Sequence, residues 1–213
     1  YTVGDVQTDV AFGYLAQSSW HGTLDITTGL VGHYEFDASP GNTVDSAGNQ
    51  DGAFLNGAGV DTTGAAVGDQ SLAVSLDSGG DSYFEVADNA AQDFGSGSYT
   101  VAFWFQQNGN PANEVHLVGD DSGGGSESGF RVTLRADGRL AIHRESEFSY
   151  TTSSYGGLVL DGSWQHVAFT YNSSGTLYTA YLNGASRGTN SVFSGNINSP
   201  GSLTFGATRS GTE

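Results

Sequence analysis

The chain of 213 residues has no cysteine, no methionine and no lysine, and its six basic residues are all arginine. Without cysteine there are no disulfide staples, no thiolate nucleophile and no cysteine-bound zinc. Six cations against 23 acidic residues leave a formal charge of −17, which repels nucleic-acid phosphates and anionic membrane surfaces. No apolar run approaches the ~20 residues a membrane-crossing helix needs, so neither nucleic acid nor membrane insertion is expected. Proline occurs only 3 times, and nothing in the pattern suggests helices. What the chain does have is 33 glycines and 12% aromatic residues, the turn formers and large side chains of β structure. Two uses of the acidic excess stand side by side: a hydrated surface for salty surroundings, or carboxylates gathered around calcium.

The most informative segment is Ser163 to Gly184, SWQHVAFTYNSSGTLYTAYLNG. Two strand-like runs flank the turn former Asn172-Ser173-Ser174-Gly175, which predicts a β-hairpin. Trp164, His166, Ala168 and Thr170 alternate with Gln165, Val167, Phe169 and Tyr171. Both sets are largely apolar, so the strand is expected to be covered on both faces. Asn183-Gly184 supplies the next sharp turn. Further strands are expected at Leu30 to Phe36, Leu72 to Leu76, Tyr83 to Val86, Tyr99 to Gln106, Phe130 to Arg135, Leu140 to His143, Leu158 to Leu160 and Leu203 to Ala207. Such spacing predicts an all-β fold, an antiparallel sandwich or jelly roll. Trp104, between Phe103 and Phe105, is placed in the core, and His166 is read as a satisfied core histidine.

The tryptophan, the histidine two residues later, Val-Ala, the aromatic run, the polar turn and Asn-Gly together resemble the signature hairpin of laminin G-like domains of the concanavalin A-like lectin and glucanase group. Gly29 to Asp37 resembles the family's opening strand, Asp45 to Gly52 its next loop and Ser98 to Phe105 its central strand. The resemblance implies a concanavalin A-like jelly roll over residues 29–213, preceded by an extension, 1–28, that ends a previous module or adds a strand. The chain departs from the family at its end, where the acidic closing strand is not found before Glu213. An open edge beside the opening strand is unfavourable, so the extension around Val6 to Leu15, or self-association with another copy, is expected to fill it; the alternative is a sequence cut short of its closing strand.

Asp37, Asp45, Asn49 and Asp51 follow the opening strand in a Gly- and Ser-rich loop. Oxygen ligands at this spacing can wrap calcium, which the resemblance also implies here, while the same side chains can instead cap their own backbone as Asx turns. For sugars, which offer apolar C–H faces and rings of hydroxyls, the candidates are Asp120 and Asp121 in the loop before Gly129, and Arg144, Glu147, Phe148, Tyr150 and Tyr155. The rings would stack and the charged groups would donate and accept. The alternatives are a solvated loop and aromatic cover for the sandwich edge. His33, His116 and His143 are too scattered to argue for zinc.

Glucanases of this group carry Glu-x-Asp-x-x-Glu, but here Glu35-Phe36-Asp37 leads to Pro40. A retaining glycosidase needs two facing carboxyls, and the second is missing, so no catalytic residue is assigned. The chain opens on Tyr1 rather than methionine and is expected to be part of a longer protein. The expectation is therefore a non-catalytic glycan-binding or adhesion module of a secreted or cell-surface bacterial protein, with a glycan or cell-surface ligand and other domains of the same chain as partners. A structural spacer or protein-binding domain of an adhesin, and an ancillary domain of a carbohydrate-active enzyme, are the alternatives.

Overall fold

A computed structural model describes residues 28–39, 41, 43–48, 50–74, 82–120, 128–146, 149–192 and 194–206. Among these residues there is no helix, hence none long and apolar enough to cross a membrane. The strands are β1 (Gly52–Leu55), β2 (Gly59–Asp61), β3 (Ser71–Ala73), β4 (Tyr83–Val86), β5 (Tyr99–Asn108), β6 (Val115–Gly119), β7 (Gly129–Leu134), β8 (Leu140–Ser146), β9 (Ser149–Tyr155), β10 (Asp161–Asn172), β11 (Leu177–Leu182), β12 (Ala185–Ser191) and β13 (Leu203–Phe205). A larger sheet has the order β1-β4-β13-β6-β7-β8-β9 and a smaller one β12-β11-β10-β5, with β2-β3 as a separate ribbon. Every pairing is antiparallel.

Period-two alternation makes the sandwich. In the larger sheet Phe130, Val132 and Leu134 of β7 sit opposite Arg144, Ile142 and Leu140 of β8, and all six are buried. In the smaller sheet Val167, Phe169 and Tyr171 of β10 sit opposite Leu182, Ala180 and Tyr178 of β11, again all buried. The two inner faces meet in one core, where the Phe130 and Phe169 ring centroids lie 6.2 Å apart. Burying each of these large side chains contributes about 1.5–3 kcal/mol, so the core is the main stabilising term.

At one end of the larger sheet, Phe84 is fully buried among Tyr34, Phe36, Phe54 and Phe205, with centroids at 5.5, 5.0, 5.4 and 5.8 Å. Gly52, opposite Val86, makes room for that ring, because a β-carbon at Gly52 would run into the Phe84 ring. Gly52→Ala is therefore expected to cost about 1–3 kcal/mol in a denaturant titration, as overpacking does. An unchanged midpoint would show that the ring has room to move.

Two expected strands are corrected. Leu30 to Phe36 makes only an isolated bridge, Tyr34 to Asp45, because Phe36 turns to φ 63° and drops its ring into the Phe84 cluster. Leu158 to Leu160 packs against the core without a ladder, and pairing starts only at Asp161. The expected strand at Leu72 is present as β3, while 75–80 fall outside the described residues. Strands β9 and β12 carry no apolar alternation in sequence. β12 is exposed along its whole length and forms because Asn183 and Gly184, at φ 49° and 76°, make the two-residue turn that returns the chain.

The hairpin itself is present: Asn172 Oδ1 accepts the amides of Ser174 and Gly175 at 3.0 and 3.4 Å and fixes the turn. Its expected cover on both faces is corrected, since only the set Gln165, Val167, Phe169 and Tyr171 is buried. β5 ends the smaller sheet among the described residues. Val6 to Leu15, expected to fill the edge beside the opening strand, lies outside the described residues, as does all of the 1–28 extension except Thr28.

Candidate functional site: an aromatic strip on the smaller sheet

The residues of β10 that do not face the core define an outward face. In register, Gln106 of β5 lies opposite Trp164, and Trp104 opposite His166. The next two rungs are Ala102, Ala168 and Tyr181, and Thr100, Thr170 and Thr179. Trp104 and His166 meet edge to face, with centroids 5.2 Å apart and planes at 63°. Trp104, Trp164, His166 and Tyr181 are all half-buried, and none belongs to the core cluster or packs against it. The core readings of Trp104 and His166 are thereby corrected: Phe103 and Phe105 face inward beside Val167 and Gln165, and strand alternation sends the residue between them outward.

Backbone pairing holds the strip rigid. The His166 amide donates to Asn183 Oδ1 at 2.8 Å, and the Asn183 amide donates to the His166 carbonyl at 2.8 Å. Burial lowers the His166 pKa from its ordinary 6.5, so the ring is neutral at neutral pH. These ten outward positions of β5, β10 and β11 carry no formal charge in a chain of net charge −17. Rings walling a floor of two alanines, with threonine hydroxyls and the Gln106 amide alongside, can take the apolar face of a sugar and bond its hydroxyls.

The acidic loop is built differently. Asp45, 3% exposed, accepts the amides of His33 and Ala47 on Oδ1 at 2.8 and 2.9 Å, and that of Gln50 on Oδ2 at 3.2 Å. Asp51 Oδ1 accepts the Asp45 amide at 3.0 Å. Asp37 Oδ1 accepts those of Asp69 and Gln70 at 2.9 and 3.0 Å. These carboxylates tie backbone segments together, and among the described residues no three His, Asp or Glu side chains gather where a metal could be held. Asn49, the remaining candidate of this loop, lies outside the described residues.

The sugar candidates scatter. Asp120 is buried, with Oδ1 accepting the Phe130 amide at 2.8 Å and its carbonyl accepting the Ser199 hydroxyl at 2.7 Å. Arg144 is fully buried and Tyr155 is 4% exposed, which takes both out of a ligand's reach and corrects that reading: their strand positions alternate inward with Ile142 and Leu140. Tyr150 sits opposite Glu145 in the β8–β9 register. Asp121, Glu147 and Phe148 lie outside the described residues. The strip itself was missed because both faces of β10 read as apolar; the signal was that the hairpin's even positions carry all its tryptophan and histidine.

Sheet order and register together define a concanavalin A-like antiparallel sandwich. The chain belongs to the concanavalin A-like lectin/glucanases superfamily, whose laminin G-type model matches residues 78–213. No curated protein matches the chain in sequence. Among solved structures it is similar to domain 4 of AbnA, a GH43 extracellular arabinanase from Geobacillus stearothermophilus in complex with arabinotriose: TM-score 0.62, 16% identity, covering 84% of this chain and 83% of that one. It is also similar to the botulinum neurotoxin serotype D binding domain, at TM-score 0.56 and 18% identity over 76% of this chain. The chain spans only 40% of that binding domain. At such identities the likeness is one of fold.

Proposed function

We propose that the chain is a non-catalytic carbohydrate-binding module of a larger secreted or cell-surface bacterial protein, and that the aromatic strip is its glycan platform. The observation that carries this reading is the uncharged face on which Trp104, Trp164, His166 and Tyr181 stand outside the core. An arabinotriose complex in a domain of similar fold supports it and names a first probe. A single shallow platform binds weakly, so function rests on several modules or copies acting together.

The test is a glycan array of the purified domain, followed by titration with arabinotriose while tryptophan emission is read. Selective binding with a change in emission supports the platform. No binding to any glycan by the folded domain would favour the spacer or protein-binding role in an adhesin. The reading needs no metal: the carboxylates that would hold calcium serve backbone amides. The melting temperature is expected to be the same in millimolar calcium and in chelator. A fall of more than about 3 °C on chelation, the signature of an ion bound only to the folded state, would assign calcium to the Asp45 loop.

A further inference from the structure

The register of the smaller sheet lines up more than the rings. Thr100 of β5 lies opposite Thr170 of β10, Thr170 opposite Thr179 of β11, and Thr179 opposite Thr189 of β12. One row of four threonines, one from each strand, thus crosses the whole sheet on its outward face. At the usual strand separation the row is about 14 Å long, with a threonine every ~4.8 Å. Thr189 is exposed and the other three are half-buried, so the row meets solvent, and the Thr179 and Thr189 hydroxyls are hydrogen-bonded at 3.0 Å. The rings form a second line on the same face. Trp104 and His166 share a rung two steps from the threonines, and Tyr181 stands one strand further on and one rung nearer to them.

On a regular sheet the backbone positions of Trp104 and Tyr181 are about 12 Å apart, beyond the ~4.5–7 Å over which one ring contacts another. A single sugar ring cannot stack on both, whereas linked sugars crossing the strands beside the threonine row can. The path stays open at β12, which offers Ser186, Thr189 and Ser191 on this face, all small and all exposed. Arg187, the one charged residue of β12, falls in the bulge between the Tyr181 and Ala180 rungs. It lies against Gly157, where an added β-carbon would come within 3.2 Å of its Cζ, and so leaves the row uncharged. A net charge of −17 with no cation on the strip disfavours an anionic ligand. We propose that this face takes an uncharged linear polysaccharide by an internal stretch of three or more sugar units, laid across the strands from β5 to β12 between the ring line and the threonine row. The rings cover the apolar sugar faces, and the threonine hydroxyls donate to and accept from the sugar hydroxyls along one side. The proposal rests on the glycan-binding reading above and adds to it the length, charge and course of the ligand.

The experiment titrates the whole chain with arabinose, xylose and glucose and with their linear oligosaccharides of two, three and six units, reading tryptophan emission and heat, with trigalacturonate as the anionic control. In at least one neutral series the dissociation constant is expected to fall at least about tenfold from one unit to three, as hydrogen bonds and a second stacked ring are added. The long soluble polysaccharide of that series should compete with its hexasaccharide, because internal stretches serve as well as ends, and trigalacturonate should not bind. T170V and T179V each take one hydroxyl from the row while keeping the side chain's shape. Each is expected to weaken hexasaccharide binding about threefold or more and to melt within a few degrees of the parent. Monosaccharide bound as tightly as hexasaccharide, trigalacturonate bound as tightly as the neutral trimers, a polysaccharide that does not compete, or hexasaccharide affinity unchanged in both variants each overturns the linear-chain site and leaves the aromatic platform standing. No response of the folded chain to any sugar of any length overturns both readings.

Discussion

Arg144→Ala is expected to lower the unfolding free energy by about 3–5 kcal/mol. The guanidinium is fully buried and bound from several sides. Its Nη2 donates to the Gly195 carbonyl at 2.7 Å, Nη1 donates to the Tyr99 hydroxyl at 3.4 Å, and Cζ lies 3.9 Å above the Tyr171 ring. Tyr99 and Tyr178 share a hydrogen bond between their hydroxyls. Burial raises the pKa of both phenols, that of Tyr178 to about 12, so the cation faces neutral hydroxyls across the working pH range. Truncation opens a cavity between the sheets and strips hydrogen bonds from Tyr99 and from Gly195 in the connection leading to β13. Arg144→Met, which fills much of the volume without a charge to desolvate, should cost less than half as much. Guanidinium titrations of the two variants decide: a loss below about 1 kcal/mol for Arg144→Ala would show that the cation does not hold this tyrosine group together.

Trp104→Ala is expected to abolish most glycan binding while leaving the fold intact. A central aromatic anchor is worth about 2 kcal/mol or more on truncation, roughly thirtyfold in affinity. The ring stands outside the core, so the melting temperature should fall by only a few degrees. Phe169→Ala, on the paired strand β10 and facing inward, provides the contrast: the residue is fully buried, and its loss should cost about 3–5 kcal/mol. Trp104→Ala that binds glycans normally but melts far lower would show the strip to be structural, covered by another part of the protein.

Much of the sandwich was legible because the larger inward residues announce themselves. The runs at 99–108, 129–134 and 161–182 alternate strongly, and two turn signals, Asn172 to Gly175 and Asn183-Gly184, set the hairpin register without help from distant residues. β9 and β12 were not legible, since SYTTSSY and ASRGTNS become strands only by pairing with neighbours already in place. Phe36 was misread for the opposite reason: its apolar run suggests a continuing strand, while the Phe84 cluster bends it away.

Sequence alone determined the chemistry available: no thiols, no lysine, an acidic surface, and turn and strand residues in the order of a concanavalin A-like sandwich. It also determined which residue types alternate along each strand, because that period is local. Tertiary structure decided what each alternating set faces. On β10 both sets are apolar, and only the packing of Val167, Phe169 and Tyr171 against the other sheet turns Trp104 and His166 outward. On β8 the same choice sends Arg144 inward and His143 outward. A strand's two faces are equivalent until a second sheet covers one of them, so the position of a binding surface is a property of the assembled layers.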